Sequence, residues 1–158
     1  MVTIRPADLR QRRTRLTREP LAARLARSQV RAAVRSWAIP VDPDIAMLLT
    51  SDLVTDAITC GTGQTVTLAI RCSRAALRVD VYHASRPRPA GADEPAGTGP
   101  GLVLLAALAT DWGAFRTPAG TVTYFTLGFE PDLLPHGRHG VTDVGTVSRI
   151  PRPARRPR

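Results

Sequence analysis

Between Leu21 and Gly128 the apolar positions change period several times, and each change marks an element. Leu21, Leu25, Val30, Val34 and Trp37 recur at near-helical spacing among alanines, with Arg24, Arg27, Arg31 and Arg35 toward the other side. This predicts an amphipathic helix laid on a sheet. Thr17 is placed to cap it, and Pro20 suits its first turn. Pro40 stops it. Asp42 followed by Pro43 starts a second helix, with Ile45, Leu48, Leu49, Leu53, Ala57 and Ile58 on its buried side and Gly61 at its C-cap. The period then drops to two. Val66, Leu68, Ile70 and Cys72 alternate with Thr67, Ala69 and Arg71. After a turn at Ser73 to Ala75, Leu77, Val79 and Val81 alternate with Arg78, Asp80 and Tyr82, which predicts a hairpin. The proline-rich stretch Ala84 to Ala96 has no large apolar residue and reads as a loop long enough to act as a lid. A short apolar helix follows, Leu102 to Ala109. Trp112, Phe115, a turn at Thr117 to Gly120, then Val122, Tyr124, Phe125 and Leu127 predict a final hairpin.

The order helix, helix, strand, strand, loop, helix, strand, strand predicts an α+β two-layer sandwich, with helices on one face of a mostly antiparallel sheet. Residues 19–130 form this domain. Residues 1–18 read as a basic flexible N-terminus, with at most an edge strand around Val2 to Ile4, and residues 131–158 as a disordered basic tail.

At 158 residues the chain is long enough for one buried core. No apolar run approaches a membrane span, and the arginine-rich start lacks the apolar stretch of a secretory signal, so a cytoplasmic location without membrane attachment is expected. Cys60 and Cys72 form no CxxC or His-spaced metal pattern and read as two thiols in a reducing compartment. All 22 basic residues are Arg, with no Lys and no Asn, the signature of a GC-rich genome. The net charge of +9 is uneven: residues 1–35 carry +8, residues 36–135 carry −4 and residues 136–158 carry +5. The basic ends therefore read as solvated tails on an acidic body. With few aromatics to stack bases, nucleic acid is not the expected partner.

Two stretches carry candidate chemistry. In SDLVTDAITCG, Asp52 and Asp56 lie four residues apart on one helix face. In GTGPGLVLLAAL, a glycine-rich loop runs into a helix, an arrangement that can present backbone N–H groups to phosphate.

Together these motifs resemble the Bergerat ATP-binding fold of histidine kinases, the Hsp90 chaperone, gyrase B and MutL, and within it the small anti-sigma factors that are serine/threonine kinases. LLTSDLVTDAITCG looks like that family's N-box helix. LRVDVYHASRP looks like the strand that there ends in an Asp, and GTGPGLVLLAALATDWG like its second glycine box. The resemblance implies a protein that binds ATP and Mg2+ and acts on a sigma factor or an anti-sigma antagonist, with a homodimer compatible. It gives Asp52 the place of the catalytic carboxylate and Asp56 that of the metal ligand. It gives His83 the place of the adenine acceptor, and Gly97, Gly99, Gly101 and Leu102 those around the phosphates.

Several positions depart from the family pattern. Asp52 stands for a Glu and is one methylene shorter. Asp56 stands for an Asn and adds a negative charge. His83 stands for an Asp, and Pro100 removes one N–H from the glycine box. Two activities therefore stay open: an active kinase, or a degenerate member that works by protein–protein sequestration with weak or no nucleotide binding.

Overall fold

A computed structural model describes residues 10–86 and 101–131 of the chain. Eight elements follow one another: β1 (Arg10–Thr17), α1 (Leu21–Ser36), α2 (Pro43–Cys60), β2 (Thr65–Cys72), β3 (Ala76–His83), α3 (Gly101–Leu108), β4 (Asp111–Thr117) and β5 (Gly120–Gly128). The five strands form one open sheet in the order β1-β2-β3-β5-β4, with every neighbouring pair antiparallel. The three helices cover one face, so the described residues form an α+β arrangement of two layers. Among them no helix is long and apolar enough to cross a membrane.

The alternation in the two central strands dictates the core. Val66, Leu68, Ile70 and Cys72 of β2 and Leu77, Val79 and Val81 of β3 are all buried. Cross-strand pairing places Leu77 opposite Leu127 and Val79 opposite Phe125, extending the apolar layer into β5. Leu49, Leu53 and Val54 of α2 and Leu105 of α3 close it from above.

The N-terminal segment differs from its predicted flexibility. From Arg10 to Thr17 the chain pairs along the whole of β2, Arg10 opposite Cys72 through Thr17 opposite Thr65. Only Leu16 in this strand is buried and apolar, which is why the sequence hides it. Its arginines hold the edge instead: Arg12 lies over the Trp37 ring at 5.6 Å, and Arg10 Nη1 donates to the Trp37 carbonyl at 2.9 Å. The predicted edge strand at Val2 to Ile4 lies outside the described residues, as do most of the lid and tail. With Thr17 inside β1, it does not cap α1; Pro20 takes the N-cap place without a side-chain bond.

The buried side of α1 also differs from the prediction. Leu21 and Leu25 are 48% and 44% exposed, and the buried residues, against α2 and the sheet, are Ala22, Ala26, Val30, Ala33 and Val34. Small residues let the two helix backbones approach closely, so the alanines sit inside and the leucines at the rim. Leu48 of α2 is displaced to the surface in the same way, with Ala46 and Leu49 inside. The turn between the helices needs a left-handed residue at Ala38, φ 50°. The bonds Ile39 N to Val34 O and Ala38 N to Arg35 O close a Schellman motif around it. The start of α2 is as predicted: the Asp42 carboxylate accepts from Asp44 N at 2.8 Å, and Pro43 occupies the first turn.

Candidate functional site

α2 carries Asp52 and Asp56 toward its C-terminal end, and β3 brings His83 to that end. Gly61 caps the helix in an extended conformation, φ −72° and ψ 154°, rather than the left-handed one its position suggests. The requirement for glycine is close approach. A Cβ there would lie 2.5 Å from Ala57 O and 3.3 Å from His83 Nδ1. Gly120 meets the same segment from β5, where a Cβ would stand 2.1 Å from the His83 carbonyl oxygen. Thr62 N donates to Ala84 O at 2.9 Å. The end of β3 is thus clamped between two glycine-bearing segments.

His83 is 7% exposed, which the sequence did not suggest for a residue at a strand end. Its Nδ1 lies 3.2 Å from the Ala84 carbonyl oxygen. A carbonyl only accepts, so this bond puts a hydrogen on Nδ1, and in the neutral ring Nε2 is then the acceptor.

Opposite His83 in the sheet stands Thr121, and Thr123 stands opposite Val81. Both threonines share the core-facing side of β5 with Phe125 and Leu127, so the floor changes from apolar to polar toward His83. Thr121 Oγ1 pairs with Ser85 Oγ at 2.9 Å, while Thr123 Oγ1 is buried without a partner among the described residues. The polar residues at core parity in GTVTYFTL were the available signal for this floor.

Arg18 was not expected at the site at all. Its Nη1 donates to Ile58 O in the last turn of α2 at 2.7 Å, and its Nε to Gly63 O. A guanidinium there satisfies free carbonyls and opposes the negative end of the helix dipole. Nothing in its local sequence announces this; it follows from β1 ending beside the loop after α2.

The two acids differ. Asp52 is half-buried, its Oδ2 lacks a partner among the described residues, and burial holds its carboxyl above the ordinary 3.8. Asp56 is exposed, one turn further on, and its Oδ1 accepts weakly from the Cys60 thiol at 3.6 Å. Burial raises that thiol, and the Asp56 charge raises it further. Counting 1.5 Å per residue, Asp52 lies about 13 Å along the helix from the Gly61–His83 contact, with Asp56 between. Among the described residues no group of three or more His, Cys, Asp or Glu side chains could hold a metal. Gly97 and Gly99 lie outside the described residues, while Gly101 and Leu102 are the first two residues of α3. A shallow groove of about 260 Å³, lined by Pro40, Val41, Ile45 and Leu108 among others, lies at the opposite end of α2 from His83.

A scan against protein-family models and a search of curated proteins returned no match for this chain.

Proposed function

We propose that the chain binds ATP with Mg2+ along α2 and acts as a regulator of the anti-sigma serine/threonine kinase type, on a partner protein that controls transcription. The Bergerat fold belongs to this reading. The observation that carries it is the buried His83 clamped at the end of α2, with Asp56 and Asp52 following along the same helix. An elongated ligand lying on α2 would meet an acceptor nitrogen first and two carboxylates after it.

Each residue fits its part in a particular way. His83 Nε2 can accept from an amino N–H, but without the charge of an Asp; losing a charged acceptor costs roughly 1.5–3 kcal/mol, about ten- to a hundredfold in affinity. The unpartnered Thr123 hydroxyl supplies a further polar group on the same floor. Asp56 is a single hard oxygen ligand within reach of solvent, which suits Mg2+, an ion held by one or two carboxylates together with substrate phosphates. Asp52, raised by burial, is a stronger base than an ordinary aspartate, and in this reading it would accept the proton of a Ser or Thr hydroxyl. When bound, the nucleotide supplies the phosphoryl group and the metal neutralises its charge. By resemblance, Gly97, Gly99 and Gly101 would close on the phosphates.

Thermal unfolding of the full chain with ATP and Mg2+ tests the reading. Binding raises stability by RT ln(1 + [L]/Kd), about 2.7 kcal/mol at a hundredfold excess over Kd. No shift at roughly millimolar nucleotide, a level that reveals even weak sites, would exclude it.

A second reading, non-catalytic sequestration of the partner, is favoured by one observation. Among the described residues the Asp56 carboxylate belongs to no group of three or more metal-ligating side chains. A shift that appears only in the His83→Asp, Asp56→Asn double variant decides for this reading.

A further inference from the structure

The face of the sheet opposite the helices is left open by every described element, and its side chains are unusual for an uncovered surface. Register places Arg13 of β1, Arg71 of β2, Arg78 and Tyr82 of β3 and Tyr124 of β5 on it, together with Arg15 at the sheet edge. Phe115 of β4 joins them, its ring 6.3 Å from that of Tyr124.

These groups are held in place. Asp80, only 1% exposed, accepts from Arg78 Nε at 3.0 Å and Nη2 at 2.8 Å, with Arg71 Nη2 at 3.7 Å. Arg71 also donates to the Tyr82 hydroxyl at 2.9 Å. Arg13 lies over the Tyr82 ring at 5.2 Å, and Arg78 over the Tyr124 ring at 3.9 Å. Burial alone would lower the Arg78 guanidinium; its bonds to Asp80 and the Asp80 charge outweigh that and raise it.

One carboxylate therefore serves two guanidiniums that face each other as the cross-strand pair Arg71 and Arg78. Like charges directly opposed across strands repel, so the centre of the face keeps a surplus of positive charge. Arg13 and Arg15, both exposed on the edge strand, add to it. The Arg71 Nε–H is buried and has no partner among the described residues.

We infer that this face is a docking surface for an acidic segment of a partner polypeptide. The charge surplus, with Asp111 at the far β4 edge of the same face, favours an anionic occupant. Fixed guanidinium forks match carboxylates two bonds at a time, and their anchoring by Asp80 and the tyrosines lowers the ordering cost of binding. Arg and Tyr are the residues over-represented in the centres of protein interfaces. Single-stranded nucleic acid fits less well, because its readers offer free aromatic faces for bases, and here a guanidinium already lies over each tyrosine. The inference does not rest on the nucleotide reading, since the two surfaces lie on opposite sides of the sheet.

The test is fluorescence anisotropy of a short labelled peptide alternating Glu and Ala, titrated with the full chain, beside a labelled oligodeoxythymidylate. The Arg13→Glu, Arg15→Glu double variant is expected to weaken peptide binding at least about tenfold. The charge-matched control Arg24→Glu, Arg31→Glu, on the exposed side of α1, is expected to change it by less than about twofold. If the first variant loses its fold, judged by circular dichroism, Arg13→Gln with Arg15→Gln replaces it and should show a smaller loss in the same direction. Equal losses in the sheet and helix variants would reduce the binding to general charge and overturn the inference. So would the absence of peptide binding, or tighter binding of the oligonucleotide with the same dependence on Arg13 and Arg15.

Discussion

Phe125 and Tyr124 are neighbours in β5 and point to opposite faces of the sheet. Phe125 is fully buried beneath α2, among Leu77, Val79 and their neighbours. Tyr124 lies on the open face against Arg78 and Phe115. The first face excludes water by covering apolar area with helices. The second buries Asp80 as completely, with no covering element among the described residues, by folding arginine and tyrosine side chains across it. Long side chains with apolar stems can act as a second layer. What they give up is uniformity of charge: the polar groups buried on the helix-covered side, Thr50 within α2 and His83 with Thr121 at one end, are uncharged or titratable, whereas the open face carries its charges through the centre.

Truncation at the two neighbours gives the largest contrast. Phe125→Ala should cost about 3–5 kcal/mol, because a full ring leaves a cavity in a core that relaxes only in part. Tyr124→Ala should cost nearer 1 kcal/mol, the worth of its ring pair and cation contact. Urea denaturation of both variants measures this, and similar losses would mean the open face is as tightly packed as the core. Asp80→Ala should fall between them, at about 2 kcal/mol. It strands two guanidiniums, but both reach water, which keeps the loss below that of a fully buried pair. A combined Asp80→Ala, Arg78→Ala variant should recover part of it.

Asp52→Asn should give the smallest change, and one that depends on pH. Burial raises the Asp52 carboxyl in the folded chain above its ordinary 3.8, so the folded state holds that proton more tightly than the unfolded state. This contribution favours folding below 3.8 and is lost as pH rises through the folded value. The variant should therefore unfold at a higher temperature than the parent near neutral pH, with the difference closing in acid. A difference that widens in acid would show a carboxylate stabilised by its surroundings.

Much of this contrast was legible in the chain, and the misses have physical causes. β2 and β3 were plain because a strand covered on one face must alternate, and their inward residues are nearly all Val, Ile or Leu. β1 was hidden because its inward side chains are mostly arginine and threonine, held by a stack on Trp37 that no local pattern encodes. The face of α1 was misjudged because leucine outranks alanine as a hydrophobe, while close helix contact favours alanine. Asp52 and Asp56 could be paired from their spacing. The burial of His83, the Thr121–Thr123 floor and the Arg18 bridge to α2 depend on which segments the sheet brings together, and spacing along the chain does not carry that.

Cys60 has a use that follows from its place beside Asp56. Cys72 is buried and Cys60 exposed, so a thiol reagent acting on the folded chain distinguishes them by rate. The Cys60 thiol sits above its ordinary 9.0, through burial and then through the charge of Asp56. On the proposed reading, a divalent cation at Asp56 would cancel part of that charge, increase the thiolate fraction and accelerate alkylation. Alkylation near pH 8 should therefore quicken as Mg2+ is added in the presence of ATP, and the acceleration should vanish in Asp56→Ala. The thiol then serves as a clock for occupancy one helical turn away.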